Sequence, residues 1–267
     1  AKGIALPVQT MAQQRNQPFS QCMAVAQAPP GANSADLTPT DVNPGIKLAA
    51  SGTDEVTIAY VGHSAHVITT AAGVTIATEY NGGSGRVTVP DVVTMNKAHS
   101  SHFTLAPDKR TAHVLRRRSY DRTPADHDVV VEDVYIRNVA TDIRSFDSVE
   151  PGGNSIFIFE VADLCIGHLG HFHHALTDKP FAGIGRSDIV MVPADGGLTL
   201  SHAAMTGVAR RLQVSIPLPM HRRGAPLARF IDMKGDAFAT DYVNDGSFTI
   251  SAGALPRRPT ILVLKGV

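Results

Sequence analysis

The sequence predicts an α+β protein: two packed, strand-rich sheets with a few helices outside them, in a single folded body. Three observations predict it. Short β-branched runs recur through most of the chain, broken by turns drawn from 23 Gly and 17 Pro. Helical periodicity is confined to a few stretches. The 267 residues, 43% hydrophobic and 18% charged, suffice to bury a substantial core.

In chain order, the opening residues read as a Gln- and Ala-rich stretch (Gln9, Gln13, Gln14, Gln17, Gln21, Gln27), followed by APPGANSADLTPTDVN over 28–43. The first texture is that of a mature chain after removal of a secretory signal, so export to a periplasmic or extracellular space is expected. The second is an extended lead-in, giving a boundary with 1–53 as lead-in and 54–267 as the folded domain. Strands are expected at 56–60, 66–70 and 74–78 as an antiparallel meander, because each run is β-branched and Gly-containing turns separate them. Further strands are expected at 91–95, 112–116, 128–137, 154–160, 163–167, 188–192, 213–217, 246–251 and 260–264. Helices are expected at 200–212, capped by Thr199 or Ser201, at 226–233, and briefly after Thr177. Cys22 and Cys165 fit either a disulfide or two separate buried thiols.

Charge excludes some functions. Lys plus Arg and Asp plus Glu both number 24, leaving no global field to attract nucleic acid or an anionic membrane. Arg116-Arg117-Arg118 and Lys109-Arg110 read as a solvated face, without the wider basic excess and interleaved aromatics of a nucleic-acid surface. The longest apolar runs fall far short of the about 20 residues that span a bilayer. Gly82-Gly83-Ser84-Gly85 lacks the following helix that a phosphate loop needs. A small molecule is therefore the expected partner; the oligomeric state is left open.

The chemistry lies in 12 His. Asn96-Lys97-Ala98-His99-Ser100-Ser101-His102 follows the expected strand 91–95. Four His fall among the seven residues from His168 to His174, beyond the strand 163–167. His221 ends the run from Val214, and His63 and His66 flank the first hairpin. Strand ends are where a rigid sheet presents side chains to a ligand, and neutral imidazole is the commonest metal ligand. Three separate strand ends each delivering His is the convergence expected of a metal site. His113, His127 and His202 show no such spacing.

Val61-Gly62-His63-Ser64, the loop after Pro90-Asp91-Val92-Val93, Ile166-Gly167-His168-Leu169-Gly170, Asp188 to Pro193, and Ile216 to His221 together resemble the metallo-β-lactamase superfamily, nearest the L-ascorbate-6-phosphate lactonase-like branch. The resemblance implies a four-layer αββα sandwich with its metal pocket at the shared edge of the two sheets. It also exposes departures. The family's Thr-His-X-His-X-Asp-His loop has Lys97 at its first His and Ser101 at its Asp, while His99 and His102 remain. Gly170-His171 stands where a Gly-Asp carboxylate bridges two metals, and His221 matches the last ligand. A family His expected before Asn154 has no counterpart; only Asp147 lies there.

An ammonium at Lys97 repels a cation placed beside it, so a two-metal site is not expected. His99, His102, His171 and His221 are expected to hold one divalent ion, zinc first, with copper or iron as alternatives. The implied activity is hydrolysis of a small ester, lactone or phosphoester by metal-bound hydroxide. Lys97 or His63 would stabilise the oxyanion, Ser101 would position water, and His168, His173 and His174 would orient ligands or touch substrate. The competing reading is a scaffold that binds a metal or ligand without turnover.

Overall fold

A computed structural model describes residues 20–24, 54–96, 100–119, 121–145, 148–222, 226–232 and 235–267. The expected lead-in thus lies outside the described residues apart from 20–24, which hold the short helix α1 (Gln21–Ala24).

The first sheet has the order β13-β1-β2-β3-β4-β5, built from β1 (Val56–Gly62), β2 (Ala65–Thr69), β3 (Thr75–Ala77), β4 (Val92–Met95), β5 (His113–Arg116) and β13 (Ser247–Ile250). β1, β2 and β3 pair antiparallel as the meander predicts, whereas β3, β4 and β5 run parallel. The second sheet has the order β11-β10-β9-β8-β7-β6, from β6 (Asp128–Val131), β7 (Val134–Ser145), β8 (Ser148–Val161), β9 (Leu164–His168), β10 (Ile189–Pro193) and β11 (Ile216–Met220). Its β9, β10 and β11 are parallel. β12 (Ala239–Val243) and β14 (Thr260–Leu264) form a separate parallel pair. This is a strand-rich α+β fold, as the sequence predicts.

Side-chain alternation decides how the layers stack. Phe157 and Phe159 of β8 and Ile189 and Met191 of β10 turn inward, meeting Ile58, Ile68, Ile76 and Val92 of the first sheet in one core. Their neighbours Ile156, Ile158, Val190 and Val192 turn outward. That outer face is covered by α2 (Asp178–Ile184), α3 (His202–Arg211) and α4 (Leu227–Asp232). α3 begins where Ser201 accepts the Ala204 N–H and buries Met205, Val208 and Ala209 at helical spacing. The outer face of the first sheet carries Val67, Ala77, Val93 and Met95, with Tyr80, Val87 and Phe103 from connecting loops against them. Among the described residues its cover is loop rather than helix.

Several elements differ from expectation. The strand expected at 128–137 is two strands joined at Glu132 and Asp133, with Glu132 in the left-handed region at φ 49°. The strand expected at 213–217 starts at Ile216, because Gln213 takes a left-handed conformation (φ 55°) to leave α3. β12 is an addition to the expected strands: its ATDYV lacks a buried apolar alternation. Chain order and sheet membership do not coincide, since β6 and β7 join the second sheet and β13 returns to the first.

Cys22 and Cys165 are disulfide-bonded across a separation of 143 residues, resolving the alternatives left by the sequence. The bond fastens α1 to β9. Beside it Glu160 accepts from Ser20 Oγ (2.6 Å) and the Gln21 N–H (3.0 Å), and pairs with Arg137 at 2.7 Å. Among the described residues no helix is long and apolar enough to cross a membrane.

Candidate metal centre

Parallel strands deliver the site. The carboxyl ends of β3, β4, β9, β10 and β11 lead to Glu79, Asn96, His168, Asp195 and His221 respectively. Ligand sites in sheets with parallel strands form beyond such ends. The β1–β2 turn adds His63, and the loop after β4 adds His102.

His63, His102 and His221 each offer one ligand atom, and these atoms all lie within 4.8 Å of one another. Ring centroids are 4.2 Å apart for His63 and His221, 5.0 Å for His63 and His102, and 5.3 Å for His102 and His221. His171 adjoins them, its Nδ1 3.2 Å from His221 Nε2. Burial, then the neighbouring His221 and His102, pushes the His171 imidazole down to about 4, so it is neutral at pH 7.

Two carboxylates stand behind the imidazoles. Asp195 Oδ2 lies 2.8 Å from His221 Nδ1. Its Oδ1 accepts the backbone N–H groups of Gly197, Leu198 and Thr199 at 2.9, 2.6 and 2.9 Å. Burial works to raise the Asp195 carboxyl, but the His221 bond and these donors hold it well below the usual carboxylate range. On the other wall, Glu79 Oε2 lies 2.7 Å from His102 Nδ1, and Ser64 Oγ lies 2.8 Å from the same nitrogen. Glu79 is 1% exposed. Burial opposes its ionisation, yet the His102 interaction, His168 and the Asn96 amide keep it ionised below its ordinary value. At His221 the ionised Asp195 carboxylate on Nδ1 fixes the ring N–H there and leaves the Nε2 lone pair for a ligand, the arrangement in which imidazole binds metals; at His102 the hydrogen bond of Nδ1 runs to Ser64 Oγ, with Glu79 as its ion-pair partner.

Three site residues carry backbone strain. His63 (φ 53°), Glu79 (φ 48°) and His221 (φ 52°) all occupy the left-handed region that favours glycine, at an order of 1–3 kcal/mol each. His63 and His221 are locked together: the His221 N–H donates to the His63 carbonyl at 2.7 Å, and Tyr60 Oη donates to the same oxygen at 3.2 Å. His168 Nε2 lies 2.9 Å from the Ser64 carbonyl, tying β9 to the β1–β2 turn, while its Nδ1 accepts the Gly170 N–H at 3.1 Å. Gly170 (φ 63°) permits a close approach: a Cβ there would sit 2.4 Å from Asn154 Oδ1 and 2.5 Å from Asn96 Nδ2.

Among the residues singled out from sequence, His63, His102, His171 and His221 are brought together. Ser101 lies one residue from His102, its carbonyl accepting from Asn81 Nδ2 at 3.4 Å. Lys97 and His99 lie outside the described residues, as does Asp147. His173 accepts the Arg144 backbone N–H, and His174 packs on Phe172. His202, given no role by its spacing, holds the Ala194 carbonyl at 2.9 Å and so anchors the loop carrying Asp195. Glu79 and Asp195 are not singled out by the sequence; the only signal is a carboxylate just past the end of each strand.

The donors suit a metal ion. They are imidazoles drawn from three connections, and two of them have a carboxylate within 2.8 Å of Nδ1. Together Glu79 and Asp195 carry two negative charges, which balance a divalent cation in a buried setting.

Residues 57–221 match a family described as beta-lactamase superfamily domain. No curated protein sequence matches the chain. Among solved structures, one from Thermotoga maritima, described as a candidate Zn-dependent hydrolase of the metallo-β-lactamase superfamily, is 23% identical. It covers 78% of this chain and 98% of its own, with a TM-score of 0.57. A candidate metal-dependent hydrolase from Parabacteroides distasonis is 13% identical over 68% of this chain and 89% of its own, with a TM-score of 0.55. A metallo hydrolase from Ignicoccus hospitalis is 16% identical over 67% and 90%, with a TM-score of 0.51. At these identities the likeness is one of fold.

Proposed function

The chain belongs to the beta-lactamase superfamily, and from that premise we propose that it is a metal-dependent hydrolase of a small ester, lactone or phosphoester, working with one divalent ion. The observation that carries the reading is the triad of His63, His102 and His221 with ligand atoms within 4.8 Å of one another. The lactonase-like branch is part of this proposal, as is zinc, the borderline ion that four-coordinate imidazole sites favour.

Three chain residues take the ligand role. His102 and His221 present lone pairs whose direction Glu79 and Asp195 set, and His63 is held by its strained turn. His63 thus moves from the oxyanion role expected from sequence to the ligand set. When bound, the ion supplies Lewis acidity toward a carbonyl or phosphoryl oxygen and makes water more acidic. His171, neutral and 3.2 Å from His221, is placed to complete the set or to take a proton from water at the cleft. Lys97, His99 and Ser101 keep the roles proposed for them from sequence: His99 as a further ligand, Lys97 at the oxyanion, Ser101 with water. The Cys22–Cys165 disulfide supports export, because such bonds persist in oxidising compartments.

The test pairs metal content with turnover. The protein purified without added metal is analysed for bound metals beside a His102→Ala, His221→Ala variant, and both are assayed on lactone, carboxyl ester and phosphoester panels. About one equivalent lost in the variant, together with lost turnover, is expected. Equal metal content in the two proteins refutes the site. Bound metal with no turnover on any panel instead favours the non-hydrolytic alternative.

A further inference from the structure

Asn96 occupies the point where the two sheets meet behind the site. It follows β4 of the first sheet and is 1% exposed. Its Nδ2 donates to Glu79 Oε1 at 2.5 Å and to the Ser155 carbonyl of β8 at 3.1 Å, and its Oδ1 accepts the Ser155 N–H at 2.6 Å. The amide orientation is unambiguous: only the oxygen can face an N–H, and only the NH2 can face a carboxylate and a carbonyl. The Ser155 backbone fastens the amide to the second sheet from both sides, so its remaining hydrogen has one place to go. That hydrogen meets Glu79 Oε1, while the other oxygen of the same carboxylate meets His102 at 2.7 Å.

We infer that Asn96 is a positioning residue that acts through Glu79: it clamps the carboxylate against the second sheet and thereby fixes the ring and tautomer of His102. Glu79 needs such a clamp. Its backbone is strained at φ 48°, its side chain is buried, and a rotation about its last torsion would carry the carboxylate away from His102 Nδ1 while Ser64 Oγ stayed beside that nitrogen. Nδ1 is hydrogen-bonded to Ser64 Oγ, and a hydroxyl can donate as well as accept, so it is the negative charge of Glu79 at 2.7 Å that favours the proton on Nδ1. Asn96 also reaches the turn before His171, because Gly170 packs directly on its Nδ2. One buried amide thus sets the relation between a ligand arm from each sheet.

The metal arm of the test rests on the function proposed above; the second arm does not. Zn2+ affinity of the full chain is measured by competition with a chromophoric chelator for the unmodified protein, Asn96→Ala, Glu79→Gln and the double variant. Asn96→Ala is expected to weaken binding about 10-fold alone and less than about 2-fold in the Glu79→Gln background, since both changes remove the same restraint. Full additivity, or unchanged affinity in the single variant, overturns the inference. Asn138→Ala, which removes bonds to Ser155 Oγ and the Ala125 carbonyl, serves as the structural control and should lower stability while leaving affinity alone. In metal-free protein, 15N NMR of His102 reads the tautomer directly. A single Nδ1–H form that becomes mixed in Asn96→Ala or in the milder Asn96→Ser is expected, and a single form retained in both overturns the inference. If the unmodified protein binds no Zn2+ but the tautomer responds, the metal reading fails and the positioning role stands.

Discussion

Replacing Asp195 with Asn alters one atom and should cost most of the metal affinity. Oδ1 accepts three backbone N–H groups, so the amide oxygen of Asn must take that position and the NH2 must replace Oδ2. The NH2 then faces the Nδ1–H of His221, which had donated to Oδ2 at 2.8 Å. Two donors cannot bond each other, so the imidazole moves its proton to Nε2, the nitrogen a metal would use. Loss of an outer carboxylate behind a ligating His weakens metal binding about 10–100-fold, or about 1.4–2.7 kcal/mol. Asp195→Ala would be less informative: it strands three backbone donors at about 1–3 kcal/mol for each one left unsatisfied, mixing stability with affinity. The assay is a Zn2+ competition titration at pH 7.5, with thermal melts of the metal-free proteins alongside. A folded Asp195→Asn variant that binds Zn2+ within 2-fold of the unmodified protein would refute the tautomer reasoning.

Two other outcomes follow from buried groups. Burial, then the neighbouring His168, lowers the His66 imidazole to about 3, and neither ring nitrogen has a hydrogen-bond partner among the described residues. Between that value and the ordinary 6.5 the unfolded chain binds the extra proton, so stability falls as pH drops through this window. In metal-free protein, His66→Leu should flatten the slope of unfolding free energy against pH between 6 and 4 by up to about one proton, without loss of stability at pH 7; an unchanged slope in denaturant titrations would contradict this. The Cys22→Ser, Cys165→Ser variant releases a link of 143 residues, worth up to about 5 kcal/mol in the chain-entropy account. A large drop in urea midpoint is expected, and a stability loss below about 1 kcal/mol would show that Glu160 of β8 holds α1 in place instead.

The histidines are legible because imidazole is scarce and its clustering at strand ends carries information. His63, His102, His171 and His221 can be singled out on that basis. Their supports cannot. Glu79 and Asp195 are two of 24 acidic residues, and only the register of parallel strands brings them behind particular rings. Asn96 reads in sequence as no more than the start of a His-containing loop, since its partners lie 17 and 59 positions away. The helices are legible from caps and spacing, as α3 with its Ser201 cap shows. The split of β6 from β7 is not, because Glu132 and Asp133 make a tight connection without Gly or Pro. The mismatch between chain order and sheet membership depends on long-range pairing that local pattern does not encode.

The bond from the His221 N–H to the His63 carbonyl couples a turn of one sheet to the last strand end of the other. Separating the two backbone segments costs this bond, so the β1–β2 turn and the end of β11 keep a common spacing whichever rotamers their rings adopt. The distance between these two ligand-bearing segments is therefore a property of the main chain rather than of the rings they carry.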